Sequence, residues 1–311
     1  MRSVRACLCL LALLLVGCGG ARPAARQSPL GIALTAVERE VWRPLPVTRA
    51  GIPVLVYHGI GRREDFASPA DAAYGIERSD FAKQMALLHA AGYHTITLEQ
   101  FRAWHAGEPV DLPSHPLLLT FDDSLRSSFD GADSVLRRLG WTAVMFVDVG
   151  DVDARAPGYA GWARLAAAER SGRWELQLHA GHGHHNIAYD RSGTMGPFYS
   201  YRVQRKETFV DWRRRALGDL EWGDAQLAAH IPGYRRLAFA PPYGNLGQLS
   251  SDDARIAPSL GRWVRARYGL VFVQEPARYA RPGDPLVPRL QITRKLAGGD
   301  IHAWLAQEIP R

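Results

Sequence analysis

Cysteine is almost missing from this chain: Cys7, Cys9 and Cys18 are the only three, and all stand before residue 19. The remainder of the chain can form no disulfide, so stability must come from a buried core, which a chain of 311 residues can supply. Long apolar runs are scarce at the start as well. The stretch from Ala6 to Val16 is too short to span a bilayer comfortably. The composition lacks the biases that mark disorder, collagen or a polytopic membrane protein. A strong field of one sign is lacking too, because the net charge of +7 is spread with both signs along the chain. The densest basic run, Arg213 to Arg215, falls in a predicted helix beside Asp211, Asp219 and Glu221. That mixture reads as a solvated helix face and argues against nucleic acid as a partner.

The chain opens with Arg2 and Arg5, the short apolar stretch, and then Leu15-Val16-Gly17-Cys18-Gly19. This resembles a bacterial lipoprotein signal, with a lipobox ending at Cys18. The resemblance implies cleavage before Cys18, lipidation of its thiol, export, and attachment to a membrane of the cell envelope. Residues 1–18 are then a signal peptide and residues 19–47, rich in Pro, Arg and Ala, a tether. Residues 48–311 are expected to form a single catalytic domain, acting as a monomer.

Within that domain short apolar runs alternate with helical patterns. Gly51 to Ile60, Tyr93 to Leu98, Leu117 to Phe121, Thr142 to Val147, Trp174 to Leu178, Leu237 to Ala240, Leu270 to Gln274 and Leu290 to Thr293 read as strands. Helices are predicted between them, such as the one from Ser79, with Phe81, Met85 and Leu88 on one face and Gly92 at its end. The alternation predicts an α/β fold with a parallel sheet, closed into a (β/α) barrel. Chemistry in such barrels gathers at the C-terminal ends of strands, and His58, Asp122, Asp123, His179, His184 and Tyr243 all fall there.

Asp122 and Asp123 terminate an apolar run. Adjacent side chains on a strand point to opposite faces, so the pair can address two partners, one binding a metal and one left free as a base. The alternative is that one of them caps the helix starting near Ser124. An adjacent pair is poorly suited to glycosidic cleavage, whose carboxyls flank a bond at about 5 Å or more. After the next polar-ended run come His179, His182, His184 and His185, interrupted by Gly181 and Gly183, which leave the loop geometry open. A carboxylate with two imidazoles suits a divalent cation: zinc best, with nickel, cobalt or iron as alternatives.

Pro53-Val54-Leu55-Val56-Tyr57-His58-Gly59-Ile60, Thr120-Phe121-Asp122-Asp123, the histidine loop and Pro241-Pro242-Tyr243-Gly244, in this order, resemble the polysaccharide deacetylases of the NodB-homology type, carbohydrate esterase family four. The resemblance runs from about Gly51 to Leu305. It implies the distorted barrel of that family, hydrolysis of N-acetyl groups on a glycan, Asp122 as catalytic base, and Asp123 as a metal ligand. The usual histidine motif, with ligands four apart, would select His179 and Gly183. The spacing of five in deacetylases of biofilm poly-N-acetylglucosamine selects His179 and His184, and places this chain nearer that branch. The backbone N–H of Tyr243, held by Pro242, is then the expected oxyanion donor.

Three departures accompany this likeness. The Arg that usually precedes Pro-Pro-Tyr is Ala240 here, Ser124 stands where Gly is usual, and no histidine occurs near Leu290 to serve as acid. His58 is the candidate proton donor, with packing as its other reading. Phe198 and Tyr199, in a polar Gly-containing loop, are expected to meet sugar rings. The lost Arg and acid keep a second reading open, a carbohydrate-binding or glycan-assembly protein on a degenerate deacetylase scaffold. Poly-N-acetylglucosamine, peptidoglycan and related glycans all remain as substrates.

Overall fold

The computed structural model describes residues 29–44, 51–66, 68–275, 278–296 and 298–307. The lipobox and Cys18 lie outside the described residues. Among the described residues no helix is long and apolar enough to cross a membrane.

The apolar runs become β1 (Val54–Tyr57), β2 (His94–Thr95), β3 (Pro116–Phe121), β4 (Ala143–Asp148) and β5 (Trp174–Ala180). The polar, Gly-containing loop after His179 contains a hairpin, β6 (Asn186–Ala188) against β7 (Met195–Pro197). Then come β8 (Ala238–Phe239), β9 (Leu270–Val273), β10 (Val287–Pro288) and β11 (Leu290–Gln291). The main sheet runs β10-β9-β8-β5-β4-β3-β1-β11, with β2 added against β3, and every pairing in it is parallel. The predicted last strand, Leu290 to Thr293, shortens to β11, and an unpredicted short strand, β10, precedes it at the opposite edge of the sheet, separated by Arg289 alone. Its N–H donates to Val273 O on one side (3.0 Å), and Ile292 N–H donates to Val56 O on the other (2.8 Å). One residue therefore bridges the seam of a nearly closed, eight-stranded (β/α) barrel.

Alternation along the strands sorts side chains into two cores. Val54, Leu118, Val144, Phe146, Ala238 and Phe272 fill the barrel. Leu55, Leu119, Met145, Leu176 and Leu178 face outward onto surrounding helices. Each fully buried Leu or Phe is worth roughly 1.5–3 kcal/mol, which is how a chain without disulfides beyond its start stays folded.

The helices are α1 (Ala36–Val41), α2 (Pro69–Tyr74), α3 (Arg78–Ala90), α4 (Leu98–His105), α5 (Arg126–Leu139), α6 (Val149–Asp153), α7 (Trp162–Arg170), α8 (Phe209–His230), α9 (Ile256–Tyr268) and α10 (Gly298–Gln307). Of these, α1 corrects an expectation, because it lies inside the supposed tether. Thr35 and Glu38 form a reciprocal capping box at its start, and Leu30 and Trp42 on either side are buried in the outer core. The folded domain therefore starts well before residue 48.

Candidate active site

Inside the barrel the same alternation that buries Leu118 also points Thr120 and then Asp122 inward, while β5 sends in Gln177 and then His179. Asp123 would face outward if the strand continued. Instead the backbone turns through left-handed conformations at Asp123 (φ 74°) and Ser124 (φ 58°), which bring its carboxylate back over the barrel mouth. Two successive non-glycine residues in this region cost on the order of 1–3 kcal/mol each, and such strain persists only where surroundings impose it. Ser124 is fully buried and its hydroxyl donates to Asp123 O, so the serine stands where glycine would be the easier choice.

The carboxylate of Asp123 meets both predicted imidazoles. His179 Nε2 is 3.4 Å and His184 Nε2 3.5 Å from Asp123 Oδ1. One ligand atom from each of the three lies within 4.8 Å of the others. Both rings are held from behind: His179 Nδ1 is 2.6 Å from Ala240 O, and His184 Nδ1 is 3.0 Å from Asp148 Oδ2. A ring whose Nδ1 faces an acceptor keeps its proton there and leaves the Nε2 lone pair for a cation. Burial disfavours charge on His184, yet Asp123 and Asp148 outweigh it and push its pKa up to about 9. The space between these carboxylates thus favours positive charge, which a divalent metal supplies, and the donor set fits one.

Asp122 is the second acid, and no motif announces its partner. Its carboxylate is fully buried and receives two parallel hydrogen bonds from Arg289, at 2.7 and 2.8 Å. Burial alone would raise its pKa, but the guanidinium and the imidazole of His179 outweigh that and hold it below the usual carboxylate range. Arg289 is itself fully buried, also meets Thr120 Oγ1 (3.3 Å), and lies over the Phe146 ring. A guanidinium therefore reaches Asp122 from the barrel seam and not from position 240. A lone Arg within the apolar run Leu286 to Ile292 was the available signal, because a buried charge needs a partner.

His58 Nε2 lies 4.0 Å from Asp123 Oδ2, under the ring of Tyr74. Burial lowers its pKa, and the neighbouring Asp123 and Asp122 only partly offset this. Tyr243 follows Pro242 in a left-handed conformation (φ 59°), with its ring stacked on His184 and exposed at the mouth. Phe198 and Tyr199, expected to meet sugar, are corrected by burial: they are 9% and 1% exposed. Arg215 stacks over Phe198, and the Tyr199 hydroxyl donates to Asp219. His182 stacks on Trp222 and His185 packs against Phe198, so neither joins the three-residue cluster. The basic run also splits. Arg213 and Arg214 are exposed, whereas Arg215 turns inward to Glu207, Phe198 O and Tyr201 O.

Residues 110–261 match the family model described as polysaccharide deacetylase. The chain is 28% identical over 229 residues to a poly-β-1,6-N-acetyl-D-glucosamine N-deacetylase of Escherichia coli K12, covering 68% of this chain and 33% of that protein. It thus spans about a third of the length of the curated relatives it matches. Among solved structures it resembles a de-N-acetylase from Aggregatibacter actinomycetemcomitans, with a TM-score of 0.69 at 18% identity, covering 81% of this chain and 99% of that one. It also resembles IcaB from Ammonifex degensii, with a TM-score of 0.63 at 26% identity, covering 82% and 97%. These matches identify in residues 110–261 a polysaccharide deacetylase domain with homology to the poly-β-1,6-N-acetyl-D-glucosamine N-deacetylases.

Proposed function

We propose that this protein is a metal-dependent hydrolase that removes N-acetyl groups from an exported polysaccharide of the poly-N-acetylglucosamine kind, and that lipid on Cys18 holds it at the cell envelope. The convergence of His179 and His184 Nε2 on Asp123, beside an acid kept ionised by Arg289, carries this reading. Asp123, His179 and His184 would hold the cation, which when bound supplies Lewis acidity toward the acetyl carbonyl and the attacking water. Zinc suits two imidazoles and a carboxylate best.

The remaining roles belong to the chain. Asp122, ionised and fixed by two hydrogen bonds, takes the proton from the attacking water. The rigid Pro241-Pro242 turn presents the Tyr243 N–H to the developing oxyanion. His58 passes a proton to the departing amine; burial disfavours a charged imidazole at rest, so the proton it passes on is the one released when water attacks. The degenerate-scaffold reading rested on the Arg lost at Ala240 and on the missing acid histidine; the Arg289 guanidinium beside Asp122 speaks against the first ground, and the second is met here only by assigning that role to His58.

Metal analysis of the purified protein, paired with acetate release from β-1,6-linked N-acetylglucosamine oligomers, tests the proposal. Asp123→Ala should lose the metal. Asp122→Asn should keep it and lose turnover by roughly 10²–10⁴-fold. A wild-type protein that takes up no divalent metal and releases no acetate would overturn the reading, and full activity in Asp122→Asn would remove that residue as base.

A further inference from the structure

Four donors converge on one carboxylate behind the histidine loop. Asp219, in α8, accepts from the backbone N–H of His182 (2.7 Å), of Gly181 (3.1 Å) and of Gly183 (3.3 Å), and from the Tyr199 hydroxyl. Three successive amides turned toward one anion form a backbone nest, here filled by a side chain of the same protein. The loop is gripped from its other side by Gly150, whose N–H donates to Gly181 O (2.8 Å).

Glycines make this approach possible. One turn beyond Asp219, a Cβ on Gly223 would come within 2.7 Å of Leu178 Cδ1 and 3.3 Å of Gly181 Cα, so no larger residue would let α8 lie this close. A Cβ on Gly181 would come within 2.8 Å of Asp219 Cγ, and one on Gly183 within 2.6 Å of the Tyr199 ring. The next residue after the nest is His184, and its ring direction follows from the peptides that Asp219 orients. A Gly-His-Gly segment has no conformation of its own to impose.

We infer that Asp219 is a positioning residue for the metal centre, templating the loop that brings His184 onto Asp123 across the five-residue spacing from His179. The inference rests on reading the cluster as a metal site. A carboxylate outside the ligand set then decides how tightly the cation is held, and Asp219 ceases to be one more acid on a solvated helix face.

The test is a metal titration of the intact, chelator-stripped protein. Zn²⁺ affinity is measured against a competing chromophoric chelator, and ligand geometry by the visible absorption of the Co²⁺-loaded form. Asp219→Asn should bind Zn²⁺ about 10–100-fold more weakly, with an altered Co²⁺ spectrum and an unchanged far-ultraviolet circular dichroism of the metal-free protein. Tyr199→Phe, which removes one donor and keeps the ring, should move affinity the same way by less. Wild-type affinity and spectrum in Asp219→Asn, even with a lowered melting temperature, would reduce Asp219 to a structural role and overturn the inference. If Asp219→Asn does not fold, unchanged affinity in Tyr199→Phe overturns it. Failure of the wild-type protein itself to bind metal is a separate outcome, which sinks the metal reading and this one with it.

Discussion

Replacing Arg289 with Met removes one half of an ion pair whose members are both fully buried. Two contributions compete. Met roughly preserves the packing against Phe146, so little apolar contact is lost. The carboxylate of Asp122 is then left inside the barrel without its two strongest donors, and breaking a buried pair from one side costs about 3–5 kcal/mol. The electrostatic loss wins, so Arg289→Met should lower the unfolding free energy in urea at neutral pH by that amount. Turnover should fall by at least the 10²–10⁴-fold associated with a lost base, because a desolvated, unpaired acid takes up a proton. Arg289→Lys keeps a charge without the planar fork and should fall between. The decisive arm is the double variant Asp122→Asn with Arg289→Met. With both charges gone it should recover most of the lost stability and none of the activity. Equal stability of Arg289→Met and wild type, or additive losses in the double variant, would refute the claim that the pair is a coupled, buried unit.

Gly131 in α5 faces Ile60, and a Cβ there would meet the Ile60 side chain and carbonyl at 2.5 Å. Gly131→Ala should therefore cost about 1–3 kcal/mol in urea unfolding, even though alanine gains about 1 kcal/mol of helix propensity. Burial raises the pKa of Glu169 to about 7, with Glu175 adding and the Leu176 N–H opposing. Its folded pKa thus lies above the unfolded value of 4.5, the native state holds the extra proton between the two, and its contribution to stability falls as pH rises through that window. Relative to wild type, Glu169→Gln should be more stable at about pH 8 than at about pH 5, and parallel stability curves would count against it. Zn²⁺ at about 100 times its dissociation constant should stabilise the stripped protein by about 2.7 kcal/mol in a thermal melt, and Asp123→Ala should abolish that gain.

Much of this protein is written locally. Runs such as Leu117 to Phe121 and Trp174 to Leu178, alternating with helical patterns, determine a parallel barrel, because burial on both faces of a strand demands apolar residues throughout. The acids and imidazoles ending those runs mark the site, since a strand end is where a barrel can present polar groups to solvent. Among the four histidines of the loop, the resemblance to the poly-N-acetylglucosamine deacetylases, with ligands five apart, is what implies His184. Tertiary structure decided what surrounds and holds those groups. Arg289 reaches Asp122 across 167 positions of sequence only because the barrel closes at that residue. Asp148 behind His184, Asp219 behind the loop, and the burial of Phe198 and Tyr199 follow from how helices and hairpin pack. Periodicity records which face of an element is buried. Which charge neutralises which depends on contacts between segments far apart in sequence, and those exist only once the chain has folded.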